Sequence, residues 1–139
     1  MLGNATNLGQ EKDMENKMME ELLLCESEYK LMNLIWDYAP IESGKLVKIC
    51  ELELSWKKST MYTILRKLCA KNIIINEDSI VKVVVPREKV QKIESKHVIE
   101  KSFGGSLPAF VSAFLGNGKI SENEAEQLIE LINKHKDLN

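Results

Sequence analysis

Between Lys57 and Lys71 the chain places five bases, Lys57, Lys58, Arg66, Lys67 and Lys71, and not one acid. Interleaved with them are Ser59, Thr60, Tyr62 and Thr63, side chains that both donate and accept hydrogen bonds. Cations of this kind neutralise phosphates, and hydroxyls reach base edges, where a threonine can touch a thymine methyl or donate to an acceptor. The remainder of the chain is acidic enough to bring the formal net charge to −2, and Glu11 to Glu28 alone hold seven acids against Lys12 and Lys17. A basic block inside an acidic chain is the footprint of a local polyanion contact. A solvated helix face would give the same run, so charge by itself leaves the question open.

The other reactive side chains offer little. His97 and His135 are the two imidazoles, and neither has a cysteine or carboxylate spaced as a metal or catalytic partner. His97 is expected to be a packed or interface residue on a helix, and His135, between Lys134 and Lys136, a solvated helix end. The three cysteines, Cys25, Cys50 and Cys69, are odd in number and widely spaced. They fit neither a disulfide framework nor a zinc knuckle, and reduced thiols are the simplest reading. Gly104-Gly105 lacks the strand and lysine of a phosphate-cradling loop. The chain is therefore expected to be no enzyme, with no catalytic residues, metal or cofactor.

The elements that must present the basic block are legible from periodicity. At 139 residues with 44% hydrophobic and 29% charged side chains, the composition is that of a folded chain with a core of modest size. No apolar run approaches the roughly 20 residues of a membrane helix, so no membrane insertion is expected. Met1 to Gln10 have neither the basic start nor the apolar stretch of a secretion signal, and a cytoplasmic location follows. Residues 1–24 are polar and without strong period; they predict a mobile arm or an additional weak helix.

From Glu26 to Tyr38, Tyr29, Leu31, Met32, Leu34, Ile35 and Trp36 fall at helical spacing, and Pro40 ends the pattern. A second helix is predicted from about Ser43 to Glu53, on Leu46, Val47, Ile49, Cys50 and Leu52. A third runs from about Lys58 to Asn72. Met61, Ile64, Leu65 and Leu68 point inward there, leaving Thr60, Tyr62, Thr63, Arg66 and Lys67 largely outward. Ile73 to Ile75 and Ile80 to Val85 are β-branched runs around the turn-forming Asn76-Glu77-Asp78-Ser79, a hairpin signal. Three helices and a hairpin in about sixty residues describe a winged helix-turn-helix. The predicted class is mainly α with a small β-hairpin wing.

After Pro86 helical spacing resumes, Gly104-Gly105 interrupts it, and Leu107, Phe110, Val111, Phe114 and Leu115 form a short apolar helix. Ser121-Glu122-Asn123-Glu124 opens a last helix as a capping box, with Ala125, Leu128, Ile129, Leu131 and Ile132 on its apolar face. Helices this short and apolar cannot bury their surface alone, and symmetric pairing is the common solution. Residues 25–86 are thus expected to form the DNA-binding domain and residues 87–139 a helical dimerisation domain. Its interface would gather Phe103, Leu107, Phe110, Val111, Phe114, Leu115, Leu128, Ile129 and Ile132.

WKKSTMYTILRKLCAKNIII (Trp56 to Ile75) resembles the recognition helix of the penicillinase repressor family, which includes the methicillin-resistance repressors and copper-responsive relatives. CESEYKLMNLIWDYAP (Cys25 to Pro40), SFGGSLPAFVSAFL (Ser102 to Leu115) and ISENEAEQLIELI (Ile120 to Ile132) are similar to its first helix, its dimerisation segment and its closing helix. The resemblance implies a dimeric repressor that occupies a palindromic double-stranded operator, with a link to antibiotic resistance. It also implies release through a sensor-linked protease cutting before the phenylalanine of the Phe-Gly-Gly segment, here the Ser102–Phe103 bond, although well-known relatives carry asparagine where Ser102 stands. Candidate DNA contacts are Lys57, Lys58, Ser59, Thr60, Tyr62, Thr63, Arg66 and Lys67, with Lys82 in the wing. The wing carries Glu77 and Asp78 where relatives often place bases or aromatics, and the chain ends in LINKHKDLN without the cysteine cluster of the copper branch. The alternative is a winged helix that holds another protein without specific DNA binding, for which the overall acidity speaks.

Overall fold

A computed structural model describes residues 2–137. The chain divides into two compact units, Met1–Lys96 and His97–Asn139. In the first, α1 (Leu2–Glu21), α2 (Glu26–Tyr38), β1 (Ile41–Glu42), α3 (Ser43–Leu54), α4 (Lys58–Ala70), β2 (Ile74–Glu77) and β3 (Ile80–Val83) lead into α5 (Arg87–Phe103), which runs through the boundary.

Helices α2, α3 and α4 are bounded by local chemistry. Cys25 and Glu28 form a capping box across the start of α2, with the Glu28 carboxylate accepting from the Cys25 amide at 3.1 Å. The helix ends at Ala39, whose backbone turns extended before Pro40. Ser55, in the left-handed region, stops α3, and Asn72, also left-handed, follows the end of α4 while the Ile73 amide returns to the Leu68 carbonyl. The faces turned inward are those the three- and four-residue spacing selects. Leu31, Met32 and Ile35 of α2, Leu46, Val47 and Cys50 of α3, and Met61, Ile64, Leu65 and Leu68 of α4 meet in one core with Ile41, Ile73, Ile74 and Val81. Burying each of the larger side chains is worth about 1.5–3 kcal/mol.

The hairpin is tighter than the sequence predicts. The strands are antiparallel in the order β1-β3-β2, and Asn76 and Glu77 pair with Val81 and Ile80 instead of turning. The turn is therefore Asp78-Ser79 alone, both at positive φ (50° and 64°). This two-residue geometry matches the right-handed twist of the strands it joins, and Asp tolerates it better than most residues. Beyond the hairpin, the Val84 and Val85 amides both return to the Ile73 carbonyl. The third strand, β1, is two residues long and has no sequence signal of its own.

Two polar fixtures complete the first unit. Lys71 reaches both carboxylate oxygens of the buried Glu28, at 2.9 and 2.8 Å, and donates to the Leu23 carbonyl at 3.1 Å. Arg87 lies over the Trp36 ring at 5.3 Å and pairs with Asp37 at 2.8 Å, while the Trp36 indole donates to the Val85 carbonyl at 3.0 Å.

In the second unit, α6 (Leu107–Leu115) is capped by Ser106, which accepts from the Ala109 amide at 3.1 Å. The last helix, α7 (Glu122–Lys134), is capped by Ser121, which accepts from the Glu124 amide at 3.1 Å. Gly104 and Gly105, at φ 55° and 83°, make the bend between α5 and α6 in a region that L side chains rarely adopt. Phe110 meets Phe103 edge-on at 5.4 Å and stacks near Phe114 at 6.1 Å. Neither α6 nor α7 contains a buried residue.

Candidate nucleic-acid interface

The turn Ser55–Lys57 joins α3 to α4 in a helix-turn-helix, and the core face of α4 fixes which side chains it can offer. With Met61, Ile64, Leu65 and Leu68 buried, the opposite stripe carries Ser59, Thr60, Thr63, Arg66 and Lys67. All five are exposed, as are Lys57 and Lys58 at the helix start. No acid stands among them. The free amides of a helix start add positive potential at the same end. The stripe can therefore neutralise phosphates through its cations while its hydroxyls address base edges.

Two members of the basic stretch differ from what the sequence suggests. Tyr62 does not stand free: it is half-buried against the core, and its hydroxyl donates to Ser43 Oγ of α3 at 3.2 Å. Its ring lies 6.0 Å from the Lys58 ammonium. Lys71 is half-buried and turned to the buried Glu28, with which it pairs, and four bases of the five remain exposed. The physical reason is burial: burial alone would raise the Glu28 carboxyl, but hydrogen bonds from Lys71 and from Cys25 outweigh it and hold the group below its ordinary range. Thr63 spends its hydroxyl on the Ser59 carbonyl, 2.9 Å away within α4. In the wing, Lys82 is exposed and approaches Glu77 at 3.4 Å.

Ser43 and Glu28 are the residues that sequence reasoning passed over. Nothing in the pattern separates a buried serine at a helix start from an exposed one. Glu28 lies three residues after a candidate cap, which is a capping-box signal, but its partner Lys71 is 43 positions away.

The remaining candidates fall in the second unit. Leu107, Val111, Phe114, Leu128, Ile129 and Ile132 are exposed, and Phe103, Phe110 and Leu115 are half-buried. Ser102 is exposed in the last turn of α5. His97, expected to be a packed or interface residue, is exposed and so is not packed within the chain; His135 contacts the Leu131 carbonyl at 3.0 Å. Burial pushes the Cys50 thiol up to about 11, and the Cys69 thiol up as well, which suppresses the nucleophilic thiolate. Among the described residues no group of three His, Cys, Asp or Glu side chains could hold a metal ion, and no helix is long and apolar enough to cross a membrane.

Comparison with known proteins agrees with this geometry. The chain is 23% identical over 118 residues to the penicillinase repressor of Bacillus licheniformis, covering 81% of this chain and 91% of that protein. It is 24% identical over 125 residues to the methicillin resistance regulatory protein MecI of Mammaliicoccus sciuri and of Staphylococcus aureus strain N315, covering 87% of this chain and 99% of those proteins. The sequence model of the penicillinase repressor family matches residues 24–134, from just before α2 to the last residue of α7. With a winged helix followed by a helical unit, the chain belongs to the penicillinase repressor family of DNA-binding transcriptional repressors.

Proposed function

We propose that this repressor acts as a homodimer on a palindromic double-stranded operator, each subunit placing α4 in one major-groove half-site and its wing beside the backbone. The observation that carries the reading is the exposed, acid-free stripe of α4 on a helix whose other face is locked in the core. A rigid helix with a cationic, hydroxyl-bearing outer face is the form that groove recognition requires. Pairing through the second unit is supported by Phe114, Ile129 and Ile132, large apolar side chains left more than half exposed on short helices. A twofold partner would cover them and double the basic surface.

The test is a gel shift of the full chain against the duplex upstream of its own coding region, with sedimentation of the free protein. A retarded complex that scrambled duplex does not compete, formed by a species of twice the chain mass, is expected. Equal affinity for scrambled duplex would refute the reading.

Release is proposed to follow cleavage of Ser102–Phe103 by a sensor-linked protease. The bond lies one residue before the Gly104-Gly105 bend, at the end of α5, where a helix opens at least cost. A cut there leaves α4 intact but removes α6 and α7, so each half would bind alone and lose an avidity factor of roughly 10²–10⁴. Mass spectrometry of the chain from induced cells is expected to show a fragment ending at Ser102; an intact chain throughout induction would exclude this route.

A further inference from the structure

Ser43 stands where three elements of the first unit converge. It is the first residue of α3 and is buried, at 6% exposure. Its amide donates to the Ser79 carbonyl of the wing turn at 2.8 Å, extending the β1–β3 ladder one step past the Glu42–Ile80 pair. Its Oγ accepts from the Tyr62 hydroxyl of α4 at 3.2 Å. The first amides of a helix have no partner within the helix, so nothing in α3 itself requires this arrangement. The amide and the hydroxyl of Ser43 are both spent outside α3, on the two elements proposed to touch DNA.

We propose that Ser43 is a positioning residue for DNA recognition, tying the wing turn to the recognition helix so that both meet the duplex as one surface. The inference rests on the reading of α4 as the DNA-contacting helix. From the Ser79 carbonyl the connection runs through the Ser43 amide and hydroxyl to the Tyr62 phenol, whose ring neighbours the Lys58 ammonium. One end adjoins β3, which carries Lys82; the other adjoins the start of α4. Ser43 itself is buried, so leaving its amide or hydroxyl without a partner is costly, and the wing turn and α4 are held in one relation through it. Phosphate attraction tolerates small displacements, whereas base-edge hydrogen bonds do not. Ser43 therefore acts on sequence discrimination, through Tyr62, and not on general affinity for DNA.

The experiment uses the full chain as wild type, Tyr62→Phe, Ser43→Ala and the double variant. Amide hydrogen exchange of Ser43 and Ile80 is measured without DNA. Discrimination is then measured as the affinity ratio between a duplex selected from a randomised library and its scrambled version. Tyr62→Phe removes one hydroxyl and no bulk, so the fold should persist, with Ser43 amide exchange about fivefold faster. Discrimination should fall about fivefold in each single variant and no further in the double, with the salt dependence of binding unchanged. If Tyr62→Phe lowers discrimination but Ser43→Ala does not, Tyr62 contacts a base directly and the positioning role is refuted. Faster exchange with discrimination intact would make the bond merely structural, which also overturns it. A wild-type chain that enriches no sequence would fail the DNA reading itself; that failure is recognisable because the exchange coupling between Tyr62 and Ser43 would still be observed.

Discussion

Leu65 and Phe114 are both bulky apolar side chains on short helices, yet Leu65 is 2% exposed and Phe114 is 77% exposed. The contrast holds for the units they belong to. In Met1–Lys96 the apolar faces of α2, α3 and α4 close on one another and on the sheet, with the Lys71–Glu28 ion pair beside the core and a guanidinium stacked over Trp36. In His97–Asn139 neither α6 nor α7 has a buried residue, although α6 is the most apolar helix of the chain. The first unit closes a core of its own, although single side chains such as Leu52 and Val84 stay exposed; the second leaves most of the apolar faces of α6 and α7 uncovered. Dense packing is thus concentrated behind the helix proposed to enter a groove, and uncovered apolar area where a second copy is proposed.

The sharpest way to break this comparison is to charge each side in turn. Phe114→Asp places a carboxylate in the proposed interface, where an unpaired charge is strongly disfavoured. The variant is expected to sediment as a folded monomer and to bind the operator roughly 10²–10⁴-fold more weakly, through lost avidity alone. Leu68→Ala in α4 should instead cost about 2–5 kcal/mol of stability at every protein concentration, because its cavity lies inside one chain. Thermal melts at several concentrations separate the two. A Phe114→Asp chain that remains dimeric places the interface elsewhere.

How much of this was legible in the sequence follows the same divide between local and distant causes. α2, α3 and α4 are readable to within two residues of their ends, because three- and four-residue spacing and Pro40 are local signals, whereas the left-handed backbone of Ser55 and of Asn72 emerges only in the structure. β1 is not, since two residues become a strand only by pairing with Ile80 and Val81. The turn reads two residues too long because Asn76 favours turns and Glu77 is a poor strand former, yet the ladder holds both here. α1 covers a stretch that permitted either an arm or a helix; its Leu8 and Met14 are exposed, so no apolar stripe announced it. In the site, the outward stripe of α4 followed from its inward one. Tyr62 and Lys71 departed from the simple inside-outside rule because each has a partner far along the chain, Ser43 and Glu28. A polar residue type says that a partner is needed and nothing about which one.

A smaller effect tests whether the first unit is secured by polar pairing as well as by its core. Glu28→Gln keeps the shape of a 5% exposed side chain but removes its charge beside Lys71. It is expected to cost about 1–3 kcal/mol near neutral pH. The folded-state pKa of Glu28 lies below the ordinary value of 4.5. Below that value the unfolded chain takes up a proton that the folded chain refuses, so this contribution declines as pH falls through the folded pKa. Denaturation of both forms from pH 7 to pH 3 should show their difference narrowing with acid. A difference that stays constant would mean that the pair contributes shape and not charge.

The smallest expected effect bears on which unit grips DNA. Lys67 is exposed on α4, whereas Lys119 is a base of the second unit outside any helix. If α4 carries the phosphate contacts, Lys67→Ala removes one per subunit, and the slope of log affinity against log salt should become shallower by about one for each half-site. Scrambled duplex should lose affinity by the same factor as the operator, because a phosphate contact carries no base information. Lys119→Ala should leave the slope where it was, since a unit that only pairs releases no counterions from DNA. Lys71→Ala adds an internal control: it should lower stability through Glu28 and leave the slope unchanged, although its charge belongs to the same basic stretch. The three slopes together distinguish a base that faces the groove from one that faces the core and from one on the pairing unit. Equal slope changes for Lys67 and Lys119 would show that both units meet the phosphates, and the division of labour between them would fail.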